Sequence, residues 1–83
     1  MFPIFSVTGC SLELLKTGEQ GIVSFCKSQD EAILKKLISM GITRGTAITL
    51  EQRLPFLIIK VEDKLLTINI KTIRAIYVRI VDN

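Results

Sequence analysis

The side chains able to carry out acid–base, nucleophilic or metal chemistry are few and scattered along this chain. The 83 residues include no histidine and only two cysteines, Cys10 and Cys26, which stand far apart. Without histidine, no Ser–His or Cys–His nucleophile can form, and the usual proton carrier near neutral pH is missing. The sequence therefore predicts no catalytic residues and no enzymatic activity.

The acidic side chains do not suggest a metal or cofactor site either. Asp30 and Glu31 are adjacent at the start of a predicted helix, where the helix dipole favours acidic residues. Glu62 and Asp63 fit the polar tip of a hairpin, and Met40 fits an apolar helical face better than a ligand set. We expect both thiols to remain reduced and predict no resident metal and no cofactor.

Length and composition indicate one small domain. The apolar fraction is 48% and the net charge is +3, with 11 basic and 8 acidic side chains. The mean hydropathy of +0.44 is high for a small globular protein, so either the core is unusually full or some apolar surface serves a partner. The charge is too modest for a dedicated nucleic-acid binder, and no apolar run is long enough to insert into a bilayer.

The N-terminal residues set the expected domain boundary. Residues 1–10 read as an apolar extension, and residues 11–83 as the single domain. No basic residue precedes the first apolar run, so we expect no signal peptide and a cytoplasmic protein.

One segment predicts a helix followed by a sharp corner. Ser28 and Glu31 have the spacing of a capping box, which places the helix start at Ser28. Gly41 is expected to end the helix in a left-handed conformation, and Gly45 to allow a second tight turn before a strand. The apolar face of this predicted helix comprises Ile33, Leu34, Leu37, Ile38 and Met40.

The remainder of the chain reads as strands joined by short connections. Alternation or apolar runs predict strands within residues 22–26, 47–54, 56–61, 66–70 and 76–80, with 56–61 buried on both faces. So few strands with one helix close most economically as a small, strongly bent barrel. The predicted fold class is mainly β with one helix.

The corner motif resembles the signature of the FeoA family, the ferrous-iron transport protein A domain. The pattern Leu-x-x-Met-Gly-hydrophobic-x-x-Gly is matched by Leu37, Met40, Gly41, Ile42 and Gly45. The glycine-containing opening of the family is similar to a second set, formed by Leu12, Leu15, Gly18, Gly21, Ile22 and Val23. The resemblance implies a small SH3-like β-barrel with a helix inserted after the first strand.

The same resemblance implies a function in ferrous-iron uptake. In this family the implied partner is FeoB, a membrane transporter with a cytosolic GTP-binding domain, which would hold the chain at the inner face of the plasma membrane. The implied role is that of a non-enzymatic accessory or regulatory module. Two alternatives stay open: a nucleic-acid-binding SH3-like barrel, and a stand-alone relative of the C-terminal domain of iron-dependent repressors.

Two features suggest where a partner would bind. Leu54 and Phe56 flank a predicted turn at Pro55, and could anchor in a partner's pocket, while Lys35 and Lys36 on the helix would steer its approach. The alternative for Leu54 and Phe56 is that they plug one end of the barrel. Self-association through the apolar extension or residues 56–61 also stays open. The sequence does not decide whether the module activates or inhibits its partner.

Overall fold

The computed structural model describes residues 9–80, in which one antiparallel sheet of six strands is the main element. Along the sheet the strands follow the order β1-β6-β2-β3-β4-β5, which leaves β1 and β5 at the two edges. The strands are β1 (Gly9–Ser11), β2 (Gln20–Cys26), β3 (Ala47–Gln52), β4 (Ile58–Val61), β5 (Lys64–Thr67) and β6 (Ile76–Ile80). The helices are α1 (Glu31–Ser39), α2 (Ile70–Ile73) and a 3-10 turn at Leu12–Leu14. None of these helices is long and apolar enough to cross a membrane.

The sheet bends around a single apolar core. Two irregularities, one in β2 between Val23 and Phe25 and one in β3 between Leu50 and Gln52, provide the local bending typical of β-bulges. The most buried core residues come from the strands and from the connections that cover them: Leu12, Leu15, Leu37, Ile42, Ile48, Leu50, Ile59, Ile73, Ile76 and Val78. The sheet and α1 therefore share one hydrophobic cluster.

The start of the chain differs from the prediction. Gly9, Cys10 and Ser11 pair with Arg79, Val78 and Tyr77 as strand β1, so the sheet begins within the expected extension. Helix α1 still follows the strand that the sequence predicted as the first, which becomes β2 because the short edge strand β1 precedes it. Residues 1–8 of the expected extension lie outside the described residues.

Helix α1 begins later than the capping-box pattern predicts. The carboxylate of Asp30 caps it by accepting a hydrogen bond of 2.9 Å from the Ala32 amide, and Ser28 instead accepts from the Asp30 amide at 3.0 Å. Glu31 is then the first helical residue, too early to reach back as a capping box requires. The predicted start at Ser28 is wrong because two nearby side chains, those of Ser28 and Asp30, could cap the helix, and that of Asp30 does.

The end of α1 confirms the predicted corner. Gly41 has φ of +79°, its amide donates to the Ile38 carbonyl at 3.0 Å, and the Ile42 amide donates to the Leu37 carbonyl at 2.9 Å. This bonding is a Schellman motif, and the fully buried Ile42 supplies its apolar contact. Along the helix itself only Leu37 is fully buried, and Ile38 of the predicted apolar face is 66% exposed.

Two strand predictions need correction. The strand predicted over residues 66–70 ends at Thr67, because the Asn69 side chain accepts from the Thr72 amide at 2.8 Å and starts helix α2. The chain thus has a second short helix where one helix was expected. Strand β4 begins only at Ile58, and exposed Lys60 shows that it is buried on one face rather than on both.

Candidate functional site

A groove of about 480 Å³ lies between α1, the β3–β4 connection and the segment that joins β5 to α2. Three separate parts of the chain form it, and each part contributes at least one apolar or cationic side chain. We call this cavity the groove; its lining residues are Lys36, Arg53, Pro55, Phe56, Leu57, Thr67, Ile68, Asn69 and Ile70.

The groove brings together some of the predicted contact residues. Phe56 and Lys36 both line it, although they belong to different elements. Leu54 stands next to this lining and is 82% exposed, while Phe56 is 64% exposed. Lys35 is exposed on α1 but does not line the groove. Such exposure means that neither Leu54 nor Phe56 plugs the barrel, and that alternative is wrong.

Long-range hydrogen bonds hold the β3–β4 connection in place. The Arg53 guanidinium donates to the backbone carbonyl oxygens of Glu13 and Leu15, beside the 3-10 turn. The Gln52 side-chain amide donates to the Phe56 carbonyl at 3.1 Å, which closes the connection on itself. Because both ends are bonded, the exposed apolar side chains are presented from a constrained backbone.

The segment between β5 and α2, which also lines the groove, is constrained as well. The Ile68 amide donates to the Leu57 carbonyl at 3.0 Å, which ties the segment after β5 to the segment before β4. Asn69 uses its side-chain oxygen to cap α2, and Ile70, the next residue, remains 44% exposed. This segment therefore adds another exposed apolar side chain to the lining.

The chemistry of the groove suits recognition. Phe56, Leu57 and Ile70 offer apolar surface, and Lys36 with Arg53 adds positive charge at the rim. Exposed apolar side chains that bury in a partner commonly dominate interface energy, whereas rim cations mainly speed association. The arrangement can hold an apolar anchor that has an acidic neighbour.

The four residues that resemble a family signature form the corner between α1 and β3. Leu37 is buried, and Met40 packs partly buried against the core. Gly41 and Gly45 have φ of +79° and +92°, values that favour glycine. These residues fix the path between α1 and β3.

The two thiols lie on opposite sides of β6. Cys10 in β1 is paired with Val78, and Cys26 in β2 is paired with Ile76. Both are free cysteines, and burial raises the pKa of each thiol, with the Glu19 carboxylate adding to the effect at Cys10. Among residues 9–80, no group of three or more His, Cys, Asp or Glu side chains could hold a metal ion.

Four basic residues on or near α1 do not converge on one cavity. Lys36 lines the groove, while Arg44 lines a different cleft beside β2. Lys27 and Lys35 are exposed and line neither cavity.

Sequence reasoning missed two contributors to the groove. Arg53 reaches carbonyl groups 38 and 40 residues away, and no local pattern signals such contacts. The alternating pattern around Ile70 predicts a strand, whereas Ile70 is the first residue of α2. Asn69, just before it, is a residue type that commonly starts a helix and could have indicated this.

Solved structures define the class of this fold as an SH3-like domain. An iron uptake regulatory protein (FeoA) crystal structure aligns with a TM-score of 0.80 at 25% identity, covering 90% of this chain and all (100%) of that one. The zinc complex of Stenotrophomonas maltophilia FeoA, described as a prokaryotic SH3 domain protein, aligns with a TM-score of 0.74 at 17% identity over 83% and 88% of the two chains. In the described residues the β1 and β5 edges do not pair, so the sheet is bent but not closed.

Sequence comparisons identify the family. The FeoA domain model matches residues 10–80, and the chain belongs to this family. A protein of Leptolyngbya boryana named as a candidate Fe(2+) transport protein A is 42% identical over 77 residues, which cover 92% of this chain and 94% of that one.

The fold also occurs within a larger repressor. A manganese-dependent transcriptional repressor aligns with a TM-score of 0.82 at 16% identity, over 94% of this chain and 45% of that one. At this identity the likeness shows a shared fold only.

Proposed function

We propose that this protein is a cytoplasmic, non-enzymatic accessory module of ferrous-iron uptake that binds the cytosolic part of a FeoB-type transporter through the groove. Membership of the FeoA family and the name of the Leptolyngbya boryana relative support the connection with Fe(2+) transport. Binding to the transporter would place the chain at the inner face of the plasma membrane without inserting it.

The observation that carries the proposal is the exposure of Leu54 and Phe56 on a constrained connection beside the groove. Large apolar side chains that are 82% and 64% exposed contribute little to the core of the isolated chain. Burial of such side chains in a partner's pocket contributes ~2 kcal/mol or more each in typical hot spots. The groove then accepts a side chain from the partner between Phe56 and Ile70.

The rim charges have a separate role in this proposal. Lys36 lines the groove and Lys35 is its neighbour on α1, so both would face an acidic region of the transporter as it approaches. Exposed charges mainly change the association rate and are screened by salt. Lys35→Gln with Lys36→Gln should therefore slow association at low ionic strength and have little effect at high ionic strength.

A double substitution tests the proposal. Leu54→Ser with Phe56→Ser should abolish detectable binding to the purified cytosolic domain of the transporter from the same cell, measured by calorimetry, and leave the melting temperature almost unchanged. The matched control is Leu14→Ser with Leu65→Ser, because these residues are 67% and 64% exposed but do not line the groove. The control should keep both its binding and its melting temperature.

Two results would contradict the proposal. Binding equal to that of the unmodified protein would show that Leu54 and Phe56 do not anchor the complex. A large decrease in melting temperature would show that Leu54 and Phe56 stabilise the fold and that the interface lies elsewhere.

A further inference from the structure

A second cleft lies beside β2 and is built from elements that do not form the groove. It has a volume of about 280 Å³ and is lined by Val23, Ser24, Arg44, Gly45 and Arg79. Two of these five residues are arginines from distant parts of the chain, one in the turn before β3 and one in β6. We call it the arginine cleft.

The turn that carries Arg44 is firmly attached to β2. The Thr46 amide donates to the Thr43 carbonyl at 3.0 Å, and Gly45 at the third turn position has φ of +92°, as a type II turn requires. Two bonds join this turn to the strand: the Gly45 amide donates to the Val23 carbonyl at 2.8 Å, and the Val23 amide donates to the Thr46 carbonyl at 2.9 Å. The backbone beneath Arg44 is therefore fixed while its side chain is exposed.

Arg79 approaches the cleft from the neighbouring strand. It is paired with Ile22 of β2 just before the bulge at Ser24, and its side chain is exposed. Neither Arg44 nor Arg79 is hydrogen-bonded to another side chain within residues 9–80. The ion pair among these residues joins Arg74 to Glu13, at 2.7 Å, and so does not involve the cleft arginines. Two guanidinium groups around one small cleft favour a bound anion, and the planar donor pattern suits a carboxylate.

A stacked pair of aromatic rings, one exposed and one half-buried, continues the same surface. Phe25 follows Ser24, and Tyr77 lies two residues before Arg79, so that it points to the same face of β6. The two rings are stacked, with centroids 4.7 Å apart and planes 10° from parallel, and Phe25 is 51% exposed. An apolar platform thus adjoins the arginine cleft.

We propose that this surface binds an acidic peptide segment of a partner protein. An Asp or Glu carboxylate would sit between Arg44 and Arg79, and a neighbouring apolar side chain of the same segment would pack on Phe25 and Tyr77. This site is independent of the groove and adds a second recognition surface to the module.

A peptide fits the surface better than a nucleic acid does. Phe25 and Tyr77 cover one face of each other, which reduces the area open to stacking with a base. The cleft also has two cations, whereas nucleic-acid sites follow the phosphate backbone with an extended basic stripe.

The test uses a capped peptide of sequence Gly-Leu-Asp-Glu-Leu-Gly and its Gly-Leu-Asn-Gln-Leu-Gly analogue. Titration of the labelled full chain, followed by amide and arginine Nε chemical shifts, should show saturable changes at Ser24, Gly45, Arg44 and Arg79 with the acidic peptide. Arg44→Gln or Arg79→Gln should weaken binding about tenfold, as expected for loss of a charged hydrogen bond. The control Lys60→Gln with Lys64→Gln removes more charge from exposed positions outside the cleft and should leave binding nearly unchanged.

Three results would overturn the inference. The first is equal binding of the amide analogue, since the carboxylate would then be irrelevant. The second is that each arginine variant, with a spectrum as dispersed as that of the unmodified chain, binds no more weakly than the lysine control. The third is that a single-stranded oligothymidylate binds more tightly than the acidic peptide through the same arginines, which would indicate a nucleic-acid site. None of these measurements involves the transporter, so the result does not depend on the function proposed for the groove.

Discussion

A Cβ atom placed on Gly21 would lie 2.7 Å from the Cγ2 atom and 2.8 Å from the Cβ atom of Val78. Gly21 is in β2, paired with Ile48 of β3 and Ile80 of β6, and it is buried at the centre of the sheet. The absence of a side chain there lets Val78 fill the core. The glycine is thus explained by close packing.

Gly21→Ala should destabilise the protein through this overlap. Overpacking of a dense core costs about 1–3 kcal/mol, because Val78 or the backbone must shift. For a domain of this size each kcal/mol lowers the melting temperature by roughly 4–8 °C. Gly9→Ala is the matched control, since its Cβ would come no closer than 3.6 Å to the Val78 carbonyl oxygen. Equal melting temperatures for the two variants would contradict the packing argument.

A different mechanism operates at Gly41. A Cβ there would meet nothing within 4 Å, so the cost of Gly41→Ala comes from φ of +79° alone and should be on the order of 1 kcal/mol in urea unfolding. Gly41→Asn should cost less than the alanine change, because asparagine tolerates the left-handed region better. If asparagine were the worse substitution, a steric cause would have to replace the conformational one.

The contrast between the two ends of α1 shows what a sequence can specify. At the C-terminal end, Gly41 followed by apolar Ile42 is compatible with one favourable way of ending the helix, and the predicted end is confirmed. At the N-terminal end, Ser28 and Asp30 are both competent caps, and the pattern alone could not rank them. Local signals fail where two residues satisfy the same backbone groups almost equally.

The groove shows a second limit, which concerns distance along the chain. Leu54, Phe56 and Lys36 were recognisable because a turn and a helix face are local features. Their grouping depends on Arg53, whose hydrogen-bond partners Glu13 and Leu15 lie in the first part of the chain. Periodicity carries no information about such contacts, so the residues could be proposed but the cavity could not.

Arg53→Gln should lower the stability of the fold and loosen the β3–β4 connection that lines the groove. Loss of the hydrogen bonds from the guanidinium to two backbone carbonyls should lower the free energy of unfolding by about 1.5–3 kcal/mol, the range for charged hydrogen bonds. Arg79→Gln removes the same charge from an exposed residue without such bonds to described residues and should cost less than 0.5 kcal/mol. Urea unfolding of the two variants gives the two free energies of unfolding to be compared. Equal losses would mean that the Arg53 contacts do not stabilise the connection.

The thiols should react slowly in the folded protein. Burial raises the pKa of Cys26, and burial together with the Glu19 carboxylate raises that of Cys10, so less thiolate is present at a given pH. Iodoacetamide should therefore modify both thiols more slowly at pH 8 in the folded protein than in the urea-unfolded chain, and the rate in the folded protein should still be rising above the ordinary thiol pKa. Glu19→Gln should increase the rate of iodoacetamide modification at Cys10 and leave the rate at Cys26 unchanged. Because the folded chain holds these protons more tightly, their contribution to stability is present at neutral pH and is lost in alkali. Faster modification in the folded state than in the unfolded state would contradict the conclusion that folding raises the pKa of these thiols.

The last prediction is that the purified, tag-free protein carries no stoichiometric iron or zinc. The sequence has no histidine, and residues 9–80 contain no set of three ligands of the kind that transition metals require. Cys10 and Cys26 are separated by β6, so their sulfur atoms belong to different strand pairs. The comparison is informative because the Stenotrophomonas maltophilia relative was crystallised with zinc. Elemental analysis after dialysis should give well under one metal per chain, for the unmodified protein and for Cys26→Ser alike. Near-equimolar metal that disappears in Cys26→Ser would show that this thiol is a ligand, with further ligands supplied by a second copy or by residues outside 9–80.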